Sequence, residues 1–169
     1  MKNLLLTLIL IGNFLTCFSQ DNFANALISL NTELEFKPTS ESYTKGNKPN
    51  KKFINQFKKC AEFEQLEKLN DLNFDCIIEV KSSELFTSKW KGKWQIEFRE
   101  WEFKNEKCAS EFIDILESLS PSRIQFCVNK GGIMWWKEKS KIYIVTSRAY
   151  FVTYHYKEIK KAIINGLNK

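Results

Sequence analysis

The residues able to do acid–base chemistry in this chain are few. There is one histidine, His155, and three glutamates close in sequence, Glu97, Glu100 and Glu102. A catalytic base needs a nucleophile and an orienting carboxylate, and no motif around Tyr154-His155-Tyr156 supplies either. Two carboxylates held a set distance apart across a sugar are the machinery of glycoside hydrolysis, so the glutamates keep a small envelope hydrolase open as an alternative. A lone histidine excludes a multi-histidine metal centre. No Gly-rich phosphate loop, CxxC pair or GxSxG elbow occurs, so no metal or cofactor is expected.

Sulfur is the next reactive group. Beyond Cys17 the chain carries Cys60, Cys76, Cys108 and Cys127, spaced 16, 32 and 19 residues apart. Those spacings fit no zinc template. An even number in an exported chain suggests two disulfides, with three possible connectivities. A helix over 106–118 followed by a returning strand from 123 brings the ends of that unit together. Cys108–Cys127 is therefore the favoured bridge, with Cys60–Cys76 as its complement. Buried free thiols are the alternative.

Aromatic side chains offer binding rather than catalysis. Lys89-Trp90-Lys91-Gly92-Lys93-Trp94 alternates cation and ring. Read as a strand, it places indoles and lysines on opposite faces, where they do not grip one ligand together. Trp135 and Trp136 must point to opposite faces of their strand. Across a two-residue turn, Trp135 meets Ile144 and Trp136 meets Tyr143. One face then carries Ile133, Trp135, Ile142 and Ile144, dense enough for a core. The other carries Gln125, Trp136 and Tyr143 with Met134 and Val145. Either a second layer covers that face or it exposes an aromatic row. The row is the expectation: Trp136, Tyr143 and Gln125 as a binding platform.

The elements that position these residues follow from periodicity. Residues 22–34 have helical spacing in Phe23, Ala26, Leu27 and Leu30. Residues 37–51, with Pro38, Gly46 and Pro49, read as a loop or linker. A helix is expected over 51–70 and a short strand over Cys76–Val80. Residues 89–103 alternate strictly and then change parity at Trp101 and Phe103, which predicts a β-bulge near Arg99-Glu100. Asn105 caps a helix over 106–118. Strands 123–129, 132–138 and 141–147 form a three-stranded meander, and a helix over 149–166 closes the chain. The fold class is α+β: a mostly antiparallel sheet of about five strands, with helices mainly on one face.

The first 19 residues are set apart from that fold. Met1-Lys2-Asn3 is basic, Leu4 to Leu15 is apolar, and Cys17-Phe18-Ser19 has small residues where a signal peptidase cuts. This is the layout of a secretory signal, and the run is shorter than the ~20 residues a spanning helix needs. Cleavage before an acylated Cys17 is the alternative, though Thr16 fits a lipobox poorly. The division expected is signal peptide 1–19, N-terminal helix and polar linker 20–51, and a single α+β domain 52–169.

With 169 residues there is room for one domain with a real core. The formal charge is +6, but acids and bases interleave and only three bases are Arg. That balance describes a solvated lysine-rich surface and not a nucleic-acid site. Together these features predict an exported, bacterial-type binding protein, periplasmic or secreted and non-catalytic. Its partner is expected to be a protein or a cell-envelope ligand. No membrane-spanning helix is expected in the processed chain.

Overall fold

The structure is a computed structural model and describes residues 21–45, 73–118 and 131–169, with Glu67 and Asn70. The expected signal segment, the helix over 51–70 apart from Glu67 and Asn70, the strand over 123–129, Gln125, Cys60 and Cys127 lie outside the described residues. Helix α1 (Asn22–Leu34) starts where the sequence places it. Asp21 caps it, its carboxylate accepting from the Phe23 amide at 3.2 Å. It stops at Glu35, whose left-handed backbone returns its amide to the Asn31 carbonyl.

After α1 come strand β1 (Lys37–Lys45), a 3-10 turn at Phe74–Cys76, and strands β2 (Ile77–Thr87) and β3 (Trp94–Phe103). Helix α2 (Glu106–Ser118), the hairpin β4 (Ile133–Glu138) and β5 (Lys141–Ser147), and helix α3 (Phe151–Leu167) complete the order. Among the described residues five strands form one antiparallel sheet in the order β1-β2-β3-β5-β4. This is the expected α+β class.

The stretch expected to be a linker is partly strand. Residues 37–45 pair with β2 along their whole length, with a register shift between Pro38 and Ser40. Lys37 and Pro38 suit an edge position, since charge discourages further pairing and proline cannot donate to a ladder. Ser, Thr and Glu side chains gave this segment no apolar alternation. It is a strand because β2 is there to receive it.

The parity change in β3 has a different cause from the bulge expected at Arg99-Glu100. Pairing of β3 with β5 runs unbroken from Ile96 to Glu102. The shift lies instead in β2, between Ile77 and Glu79. The apolar positions change face because the two halves of β3 are covered from opposite sides. Ile96 and Phe98 pack with Leu85, Val145 and helices α1 and α3. Trp101 and Phe103 pack with Ile77, Val80, Ile142, Ile144 and helix α2. Each fully buried side chain of that size contributes about 1.5–3 kcal/mol.

Helices α1 and α3 cross closely. A methyl group on Gly166 would lie 2.5 Å from the Asn25 carbonyl oxygen and 2.6 Å from the Ala26 Cα. Glycine there, with Ala26 and Ala162 fully buried beside it, lets the two backbones meet. Asn165 fastens the crossing by donating to both Glu33 carboxylate oxygens, at 3.1 and 3.3 Å.

One disulfide is formed among the described residues, Cys76–Cys108, with Cα atoms 6.0 Å apart. This corrects the expected pairings Cys108–Cys127 and Cys60–Cys76. The reason is the register: Ile77 pairs with Phe103, and the Lys104 amide donates to the Cys76 carbonyl at 2.9 Å. Helix α2 begins two residues later, capped by Asn105, whose side chain accepts from the Cys108 amide at 3.0 Å. Cys108 is thus delivered beside Cys76 by the β2–β3 pairing.

Candidate functional site

The predicted hairpin register is correct: Trp135 opposes Ile144 and Trp136 opposes Tyr143. The predicted platform is not open. Trp136 and Tyr143 keep only 8% and 3% of their surface and belong to the core that α1 and α3 complete. Their rings stack at 5.2 Å, and Lys160 of α3 lies 5.3 Å above the Trp136 ring. The Trp136 indole donates to Glu138 at 3.2 Å. A second layer covers this face, because α3 turns back across β4 and β5. As a solvent-facing binding row, Trp136 and Tyr143 are withdrawn.

Beyond the helices, the same face ends in a charged patch. Register places Glu79 opposite Glu102, Lys81 opposite Glu100, Glu100 opposite Tyr143, and Glu138 opposite Lys141. Glu100 is buried, with its carboxylate 2.8 Å from Lys141, and Lys141 also lies 3.8 Å from Glu102. Lys81 bridges Asp21 at 2.8 Å and Glu79 at 3.8 Å. Burial holds the Glu79 carboxyl above its ordinary range despite Lys81, helped by Glu102 and Glu100. Burial, then the charge of Glu100 and Glu138, pushes the Tyr143 phenol far above its usual range, so it stays protonated. Glu97 lies on the opposite face in a two-pronged pair with Arg99, both contacts at 2.7 Å. The glutamates grouped in sequence are therefore divided by the sheet. The two that share a face share one lysine, which is the arrangement of a structural ion-pair network. Among the described residues, no group of three or more His, Cys, Asp or Glu is arranged to hold a metal ion.

The opposite end of the sheet is built differently. The start of β1, the end of β2, the start of β3 and the end of β5 meet there, with loop 88–93 and the first turns of α3. Residues 88–93 are not strand, so the alternation argument that separated lysines from indoles does not apply to them. Thr87, buried, ties the loop to α1 by donating to the Leu34 carbonyl at 3.0 Å and accepting from the Lys89 amide at 3.1 Å. Gly92 turns the chain with φ at 113°, a conformation side chains disfavour. The Trp94 indole folds back to donate to the Lys91 carbonyl at 3.2 Å.

That turn lays half-buried Trp90 and Trp94 against the start of α3. Trp94 stacks on Phe151 at 4.8 Å, and Trp90 meets Phe151 edge-on at 5.2 Å. His155 sits 4.6 Å from Trp90 and 4.8 Å from Phe151, with Nδ1 3.0 Å from the Glu158 carboxylate. The histidine thus has an orienting carboxylate, but its ring is packed among aromatics rather than presented to a hydroxyl. Outside these rings stand Lys89, Lys91 and Lys93, all exposed, with Tyr154 79% and Tyr156 45% exposed.

The backbone here is strained. Ala149 and Tyr150 are both left-handed, with φ of 53° and 59°. Each such residue costs about 1–3 kcal/mol. Tyr150 offers α3 no side-chain cap, and Ser147 substitutes by accepting from the Val152 amide at 2.8 Å. His155 itself leaves helical geometry. The strict alternation expected over 89–103 begins only at Trp94, because residues 88–93 form a turn. Gly92 was the signal that the strand had not yet begun.

No family model matches the chain, and neither a curated protein nor a solved structure shows significant similarity to it.

Proposed function

We propose that this chain is an exported, non-catalytic binding protein that captures a cell-envelope partner at loop 88–93 and the first two turns of α3. The observation that carries the reading is the convergence at that end. Two partly buried indoles, two exposed tyrosines and a fringe of lysines gather where the backbone holds consecutive left-handed residues. Strain of that kind persists where surrounding structure imposes it, and it concentrates at functional sites. Tyr, Trp and cationic side chains are the groups that anchor interfaces.

Export rests on the Met1–Ser19 leader, with acylation of Cys17 as the variant that would tether the protein. The Cys76–Cys108 disulfide supports an oxidising compartment. No helix among the described residues is long and apolar enough to cross a membrane. The test compares the unsubstituted chain with Tyr154→Ser/Lys91→Gln for retention on isolated envelope material. Both side chains are exposed, so the melting temperature should stay within about 3 °C. Loss of retention at unchanged stability is the expected result. Equal retention would remove this surface from the function.

A further inference from the structure

We propose that the partner at this end of the molecule is the surface of an anionic lipid bilayer; the inference rests on the reading of loop 88–93 and α3 as a binding site. Charge is the first argument. Lys37, Lys89, Lys91, Lys93, Arg148 and Lys157 are exposed around the site and outnumber the acids there, Glu33, Glu35 and Glu158. Two of those acids are already engaged, Glu33 by Ser29 and Asn165 and Glu158 by His155; of the cations, Lys89 is engaged too, donating to the Glu33 carbonyl. At the opposite end of the same face the acids and lysines pair with one another instead.

Side-chain chemistry is the second. Trp and Tyr favour the headgroup zone because each joins a flat apolar ring to a polar edge. Lysine adds a flexible apolar stem that lies along such a surface while its ammonium reaches phosphate or water. The fringe is lysine with a single arginine. Point charges suit the smeared negative potential of a leaflet better than the bidentate recognition of one ligand phosphate.

Placement is the third. The rings and lysines sit on a hairpin loop and an adjoining helix start at one end of the sheet. Trp90 and Trp94 are backed by Phe36, Phe151 and His155, and the Trp94 indole also bonds the Lys91 carbonyl of its own loop, which fixes the loop in place.

The experiment is vesicle flotation of the purified protein in the form its host makes. The vesicles are phosphatidylcholine with or without one-quarter phosphatidylglycerol. Each lysine near an anionic leaflet strengthens binding about fivefold, so Lys91→Gln/Lys93→Gln should weaken capture by phosphatidylglycerol vesicles about thirtyfold. Tyr154→Ser/Tyr156→Ser should weaken it as well, with a loss that persists in high salt. Neither pair lies in the core, so circular dichroism should be unchanged.

Capture of the unsubstituted chain and both variants alike would overturn the proposal. Failure of phosphatidylglycerol vesicles, with envelope retention still lost in Tyr154→Ser/Lys91→Gln, would also overturn it. The binding site would then stand with a protein or glycan partner. An acidic glycan, polygalacturonate, is the probe for the latter. If neither vesicles nor envelope material distinguish the variants, the site falls with the proposal.

Discussion

Replacing Trp136 by alanine asks whether the second face of the sheet is core or binding surface. The indole is 8% exposed, stacked on Tyr143 and covered by Lys160. Truncating a buried tryptophan costs about 3–5 kcal/mol, from lost transfer energy and from the cavity left behind. Trp136 lies on β4, at one margin of the sheet, and is not wholly buried, which places it near the lower figure. A protein of this size loses about 2–4 °C of melting temperature per kcal/mol, so a drop of about 6–12 °C is expected. Thermal and urea melts followed by circular dichroism would measure it. Trp136→Phe separates the parts: it keeps a ring on Tyr143, loses the bond to Glu138, and should cost about 1–2 kcal/mol. A Trp136→Ala protein melting within about 3 °C of the original would refute the burial argument and reopen the face as a binding platform.

Two further outcomes test the packing and the charges. Gly166→Ala should destabilise by about 1–3 kcal/mol in urea titration, because the added methyl meets the Asn25 and Ala26 backbone. Helix propensity alone predicts the opposite sign, a gain of about 1 kcal/mol, so a stabilised variant would show that the α1–α3 crossing is looser than these distances require. Asp21→Asn keeps a cap but loses the pair with Lys81. The Asp21 carboxyl sits below its ordinary value; burial opposes this, but Lys81 and the Phe23 and Ala24 amides outweigh it. Lys81 sits above its ordinary value; burial opposes this too, and its hydrogen bond and charge contact with Asp21, then Glu100 and Glu79, outweigh it. The aspartate's contribution is therefore present above its unfolded value and lost as pH falls through its folded one. The lysine's is present below its unfolded value and lost as pH rises through its folded one. The stability difference between Asp21→Asn and the original should be level in between, under about 1 kcal/mol for so exposed a pair, and should shrink at both extremes. A difference that grows in acid would reverse the assignment.

Local chemistry was legible without the fold. Asn105 marks the start of α2, and the turn at Lys139-Ser140 sets the register that pairs Trp136 with Tyr143. These depend on contacts between residues a few positions apart, which any reading of the chain contains. What the alternation could not carry was the identity of the layer above each face. Pairing in a strand says which side chains share a side, and it is silent on whether a helix covers that side.

Four readings turned on that missing layer or on a distant neighbour. Trp136 and Tyr143 are core because α3 returns over them, and Trp101 differs in parity from Phe98 because α2 and α1 cover opposite faces of β3. Lys37–Lys45 is a strand because β2 lends it hydrogen bonds, and Cys76 finds Cys108 because β2 and β3 align their ends. The site at Trp90 and His155 joins residues far apart in the chain through Phe151. Side-chain type and spacing thus determined the α2 cap, the hairpin and the α+β class. Coverage, bridging and the meeting of loop 88–93 with α3 came only with the tertiary structure, because each is decided by a partner remote in the sequence.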